Sequence, residues 1–191
     1  MSNAEVRAGA PAKVEANGDL VKISGYAAVF DSVTNIGGQF EEVVERGAFK
    51  DAIGRDDVVL RVDHVGLPLA RTRSGTLKLT EDDHGLFMET ELDMRDPDVR
   101  SIVPKMERGD LDKMSFAFYP VKEAWDDSGE IPKRSIQDVQ LQDVAIVTFP
   151  AYGDTEVALR SLAEHRSQQE ATKEDHSKVA KMRMRLALAK A

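Results

Sequence analysis

Cysteine is absent from this chain, and its absence removes disulfides, thiolate zinc sites and a cysteine nucleophile together. Such a chain suits a reducing interior, and nothing in it calls for an oxidising compartment. Long apolar runs are missing too. None approaches the roughly 20 residues that span a bilayer, and residues 1–18 lack the apolar centre of a signal peptide. The expectation is a soluble, cytoplasmic protein with no membrane partner. Clustered cations are scarce over most of the length. The net charge is −8; from Arg166 to Ala191 seven Lys or Arg face three Asp or Glu, a balance of +4, so residues 1–165 carry −12. An acidic body lacks the cations that displace counterions from phosphates, so no nucleic-acid partner is expected.

What is present suits a folded domain, because 191 residues with 41% hydrophobic content suffice to bury a core. Residues 1–19 are small and polar without a sustained period and read as a flexible leader. Residues 20–165 read as one domain, and residues 166–191 as a basic tail, helical or flexible. Within the domain, Leu20–Phe30 is apolar and partly β-branched, a strand interrupted at Gly25 by a bulge or a close backbone approach. Glu41–Arg46 reads as a short strand, and Gly47–Ile53 as a turn into a short helix. Val58, Leu60 and Val62 alternate with Val59 and Arg61. Thr76–Thr80 and Leu86–Leu92 flank the polar run Glu81 to Gly85 as a β-hairpin.

Asp96–Arg108 carries Val99, Ile102, Val103 and Met106 at helical spacing and stops at Gly109, with Pro104 inside as a source of shortening or kinking. Two more strands follow, Met114–Lys122 and Val139–Phe149. From Thr155 the composition turns to good helix formers, predicting a helix near Val157–Ala163 and a second in the tail. The whole is an α+β chain, rich in strand.

Three polar residues occupy positions where the strand period expects apolar or closely packed side chains. His64 ends the Val58, Leu60, Val62 face; Ser115 opposes Phe116 and Phe118; Asp143 interrupts the row Val139, Leu141, Ala145, Val147, Phe149. A carboxylate in such a row is costly to bury unless a donor meets it. One economical solution is that the three meet. A serine hydroxyl becomes a nucleophile when an imidazole accepts its proton and a third group fixes the tautomer. Other readings of the same residues stand beside it. His64 can end a strand on a carbonyl, Ser115 can be a small core residue, and Asp143 can pair with Arg71 or Arg134. A metal set would recruit Asp63, His64, Asp82, Asp83 and His84, without a spacing that fixes two ligands on one element.

At these residues the chain resembles the caudovirus prohead proteases, a family similar in fold to the herpesvirus assembly proteases. The resemblance rests on GYAAVFDS at Gly25–Ser32, ERGAF at Glu45–Phe49 and Asp63-His64. It continues through PLARTRSGTLKL at Pro68–Leu79, GDLDKMSFAF at Gly109–Phe118 and LQDVAIVTFPAY at Leu141–Tyr152. It implies a closed or partly closed antiparallel β-barrel with flanking helices, a serine endopeptidase with Ser115 as nucleophile and His64 as general base, and no cofactor or metal. The third member is implied at Asp143, where the phage family usually offers a glutamate and the herpesvirus relatives a second histidine. His165 and His176 match no third-member motif. Arg71 and Arg73 are the implied oxyanion-hole candidates, through a backbone N–H or an ordered water.

The implied partners are the major capsid protein and its scaffold region. The implied setting is the host cytoplasm inside the assembling procapsid, with self-cleavage and a homodimer or higher homo-oligomer. The basic tail becomes a packaging or docking element, or a segment lost on autolysis. A capsid-assembly module of the same fold without enzymatic activity is the competing reading, and a metal-dependent hydrolase a third.

Overall fold

Alternation of buried and exposed side chains builds the body around two long strands. In a computed structural model, which describes residues 4–149 and 155–188, the chain opens with β1 (Glu5–Pro11), β2 (Lys13–Asn17) and β3 (Leu20–Val29). Then come β4 (Thr34–Ile36), β5 (Phe40–Val44), the short helix α1 (Lys50–Arg55), β6 (Val59–Val62) and β7 (Val65–Arg71). The hairpin β8 (Leu77–Glu81) and β9 (Gly85–Asp93) leads into α2 (Pro97–Arg108), and β10 (Lys113–Asp126) and β11 (Lys133–Val147) complete the sheets. The described residues up to Thr155 cluster as one unit, and the rest of the helix α3 (Thr155–Leu188) as a second.

β11 is the hub of the larger sheet. It pairs along its length with β10, while its first part takes β5 and its last part β6, both parallel. β1 flanks β10, β4 flanks β5, and β7 flanks β6. A second sheet runs β2, β3, β9, β8. One apolar core draws Val21 and Ile23 of β3, Leu86 and Met88 of β9, Phe116 and Phe118 of β10, and Val144 and Ile146 of β11, together with Val99 and Val103 of α2. Phe116 is its centre, stacked on Phe118 at 5.1 Å and edge-on to Phe49 at 5.4 Å. Each such ring contributes about 1.5–3 kcal/mol through burial.

This architecture corrects the expected barrel. Neither sheet closes on itself. The parallel pairing of β11 with both β5 and β6 also departs from an all-antiparallel order, although the strand-rich α+β class stands. The loose leader expected over residues 1–19 is replaced, over residues 5–17, by β1 and β2. The hydrophobic period misses β1 because its inward side chains are charged. Glu5 and Arg7 are 1% and 4% exposed. They join Glu42 and Arg134 in a buried cluster, with Arg7 Nε on Glu42 at 2.5 Å and Arg134 Nη1 on Glu5 and Glu42, each at 2.9 Å. Arg134 also donates to Glu123. Burial opposes the charge on Arg134, but hydrogen bonds and fields from Glu5, then Glu42 and Glu123, outweigh it and hold the guanidinium above its ordinary value.

Several local expectations match the structure. Gly25 is a point of close approach, since a Cβ there would lie 3.2 Å from both Ala12 Cα and Met114 Cγ, and β3 shifts register between Tyr26 and Ala28. The β8–β9 hairpin forms as read. Helix α2 is capped by the Asp96 side chain, which accepts from the Asp98 N–H, and ends on Gly109 in the left-handed region at φ 80°. Pro104 does not stop it; buried Val99, Ile102, Val103 and Met106 hold the helix on both sides of the proline. α3 runs as one helix where two were expected.

Candidate active site

His64 owes its position to a tight turn. Val62 pairs with Val65 across β6 and β7, leaving Asp63 and His64 as the two loop residues. Both have positive φ, 47° and 58°, as the type I′ hairpin turn requires. Neither is glycine or asparagine, so the turn is strained by an amount on the order of 1–3 kcal/mol per residue. Two hydrogen bonds hold it: Asp63 N–H donates to Ile146 O at 3.0 Å, and Asp63 Oδ1 accepts from Thr148 N–H at 3.1 Å. The chain therefore reverses before His64, and the expected phase with Val58, Leu60 and Val62 is not what aims the ring.

Ser115 and Asp143 reach the same place through the β10–β11 ladder. Ser115 pairs with Ala145 and Ala117 with Asp143, so Ser115 and Asp143 are diagonal neighbours on one face. Phe116 and Val144, one residue on in each strand, point into the core. Contrary to the expected row, Asp143 does not share a face with Leu141 and Val139. Leu141 pairs with Phe118 and Asp143 with Ala117, leaving Gln142 as an unpaired bulge residue. That extra residue moves the carboxylate off the core side.

His64 bridges the two. Its Nδ1 lies 2.6 Å from Asp143 Oδ1 and its Nε2 2.8 Å from Ser115 Oγ. A carboxylate only accepts, so the first proton belongs to Nδ1, and in the neutral ring Nε2 is left as an acceptor for the serine proton. Ser115 Oγ has a second partner, the Arg7 carbonyl of β1 at 2.7 Å. A hydroxyl has one proton to give. It goes to Nε2 when the imidazole is neutral, and to Arg7 O when the ring is protonated and Nε2–H donates instead. The group is secluded, with Ser115 0% exposed and the side chains of His64 and Asp143 16% and 5% exposed.

The arginines expected nearby are committed elsewhere. Arg71 Nε donates to Asp57 at 2.9 Å, its N–H goes to Thr76 Oγ1 at 2.9 Å, and Arg73 Nε lies 3.2 Å from Asp57. The Arg71 hydrogen bond, opposed by partial desolvation, holds Asp57 below the ordinary carboxylate range. Arg134 pairs with glutamates, not with Asp143. The cation that sequence reading overlooked is Arg61. It pairs with Ala145 in the parallel β11–β6 ladder, while its neighbour Leu60 is in the core, so Arg61 lies on the face of Ser115 and Asp143. Its Nε is buried without a hydrogen-bond partner among the described residues. Its place in an alternating strand looked like ordinary solvent-facing polarity, so only the register singles it out.

The metal set is not assembled. Among the described residues no group of three or more His, Asp or Glu is placed to hold an ion. Asp82 instead accepts from the Tyr26 hydroxyl at 2.7 Å and from the N–H groups of His84 and Gly85 at 2.8 and 3.1 Å. Among the described residues no helix is long and apolar enough to cross a membrane.

Compared with known sequences, the chain matches the profile of the caudovirus prohead serine proteases over residues 9–171. No curated protein and no solved structure matches it. The profile spans every element from β2 to β11 and the first part of α3, and takes in Ser115, His64 and Asp143.

Proposed function

This chain belongs to the caudovirus prohead serine protease family, and from that premise we propose that it is a serine endopeptidase working through Ser115, His64 and Asp143. The observation that carries the reading is the unbroken hydrogen-bonded line from Asp143 Oδ1 through the His64 ring to Ser115 Oγ, at 2.6 and 2.8 Å. In this mechanism Nε2 takes the hydroxyl proton as Oγ attacks the scissile carbonyl carbon. The imidazolium, stabilised by Asp143, then gives that proton to the departing amine, leaving an acyl-serine. Water, deprotonated by the same Nε2, attacks the ester; His64 returns the proton to Oγ and the acid product leaves. Asp143 is one methylene shorter than the glutamate the resemblance implies there, and its Oδ1 still reaches His64 Nδ1 at 2.6 Å.

Negative charge on the carbonyl oxygen needs a donor in a water-poor site. Arg71 and Arg73 are occupied by Asp57, whereas Arg61 lies on the triad's face with Nε uncommitted. We assign the oxyanion contact to Arg61. The substrate is the scaffold region of the major capsid protein, with self-cleavage after it, inside the assembling procapsid. The secluded hydroxyl and its bond to Arg7 O suit a protease kept silent until the shell has formed. A homodimer or higher homo-oligomer is part of this reading, and specific activity that rises with protein concentration is its expected sign.

The test is incubation of the cognate capsid precursor, co-assembled into shells, with wild-type protein or with Ser115→Ala. Trimming at a defined site by the wild type alone supports the reading. Equal trimming by both removes Ser115 as the nucleophile, and trimming by neither favours an assembly module without activity.

A further inference from the structure

Beside the His64 turn, between β7 and α2, opens a cavity of about 570 Å³. Val65, Leu67 and Leu69 form one wall, and Ile102 and Leu111 the other. Val65 is 66% exposed and Leu67 77%, and Phe149, next to the lining residue Thr148, is 83% exposed. Large apolar side chains gathered in water at one place mark a contact surface. The strand beside them is open. Among the described strands β7 pairs only with β6, and Gly66 to Leu69 stand opposite the single residue Arg61. An open strand edge accepts an extended peptide as an added strand, whose side chains enter flanking pockets.

Charge narrows the occupant. Asp63, Asp98 and Asp110 line the cavity against one cation, Lys105. Asp110 is taken by Arg108 at 2.6 Å, and Lys105 by Ser101 Oγ at 2.9 Å. Asp63 and Asp98 have no cationic partner among the described residues. Asp63 also adjoins His64, so anything held there lies against the catalytic turn.

On the reading of the site as a protease, we propose that this groove is the substrate cleft, taking an extended peptide in which an apolar side chain fills the cavity and a Lys or Arg two residues along, on the same face of the added strand, meets Asp63 and Asp98. The chain's own run Val179-Ala180-Lys181 sets an apolar side chain and a cation two positions apart, on one face when extended. A synthetic peptide covering residues 179–188 is therefore the probe.

The experiment measures binding of that labelled peptide to the full chain carrying Ser115→Ala, alone and combined with Leu67→Asp, Asp98→Asn or the conservative Leu67→Met. Leu67 and Asp98 are exposed, so these changes spare the core. The expected result is at least tenfold weaker binding for Leu67→Asp, several-fold weaker for Asp98→Asn, and parent affinity for Leu67→Met. With Ser115 intact, the two damaging variants raise KM for capsid-precursor cleavage and leave kcat unchanged. Unaltered affinity in both damaging variants overturns the groove while leaving the protease reading in place. Loss of a dimer in Leu67→Asp with unaltered affinity overturns it too, marking a face between copies. Groove-dependent binding with no cleavage of precursor co-assembled into shells by the Ser115-intact protein keeps the groove and sinks the protease.

Discussion

A single proton connects the three residues at the centre of this structure, and its two possible destinations give the first predictions. Ser115 Oγ lies 2.8 Å from His64 Nε2 and 2.7 Å from Arg7 O. Protonation of His64 sends the serine proton to Arg7 O and removes the base. His64→Ala, which removes that base outright, should therefore lower turnover by roughly 10⁶ with the fold retained; unchanged turnover contradicts the assignment. Asp143→Asn replaces an acceptor with a group able to present a donor, releasing the Nδ1–H tautomer. Turnover should drop by roughly 10³–10⁴ with folding retained, as single-turnover cleavage would measure. For Arg61 the sign of the stability change is diagnostic. A buried donor without a partner costs about 1–3 kcal/mol, so Arg61→Met should melt no lower than the parent while kcat falls on the order of 10²-fold. A lower melting temperature with unchanged kcat would make Arg61 structural. Ser115 and Asp143 were legible because each is a polar residue among apolar neighbours. The turn that aims His64 was not, since Asp-His carries none of the glycine or asparagine that announces positive φ.

At the level of elements, β1 connects the fold to the site. Its Glu5 and Arg7 side chains lock into Glu42 and Arg134, and the same strand offers Arg7 O to Ser115. Removing one member of a buried ion cluster leaves uncompensated charge, so Arg134→Met should cost about 3–5 kcal/mol in denaturant unfolding. It should also raise hydrogen exchange in β1. A loss below about 1 kcal/mol would mean that the cluster adds little. β1 also packs tightly on β3: a Cβ at Gly9 would meet Tyr26 O at 2.3 Å and Ala27 O at 2.4 Å. Helix α2 and the β8–β9 hairpin were readable because apolar spacing and end signals agree in both. β1 and β2 were not, because a strand whose inward side chains are charged has no hydrophobic period. β7 was hidden for another reason, as Gly66 to Leu69 swing away from β6 and break any regular alternation.

For the molecule as a whole, apolar periodicity and turn signals predicted the α+β class, but the connections between strands lay beyond them. Nothing local in Lys133–Val147 says that one strand takes two parallel partners in succession, or that neither sheet closes on itself. Surface charge gives a prediction at this scale. Asp57 and Asp82 are held below the ordinary carboxylate range by Arg71 and Tyr26, and Asp93 is lowered from 3.8 to about 2 by Arg95. Carboxyls depressed on folding contribute stability above the unfolded value and lose it as pH falls through the folded one. A thermal melt should therefore soften between about pH 3.8 and about pH 2, the Asp93 window. A midpoint constant across that window would mean these pairs contribute nothing.

The most direct test of Ser115 as nucleophile is mass-spectrometric mapping of the residue phosphonylated by a fluorophosphonate while the protein is cleaving capsid precursor. Loss of cleavage in proportion to an adduct on Ser115 is the predicted result. Inactivation with the adduct on another residue, or undiminished cleavage with Ser115 fully modified, would contradict the account.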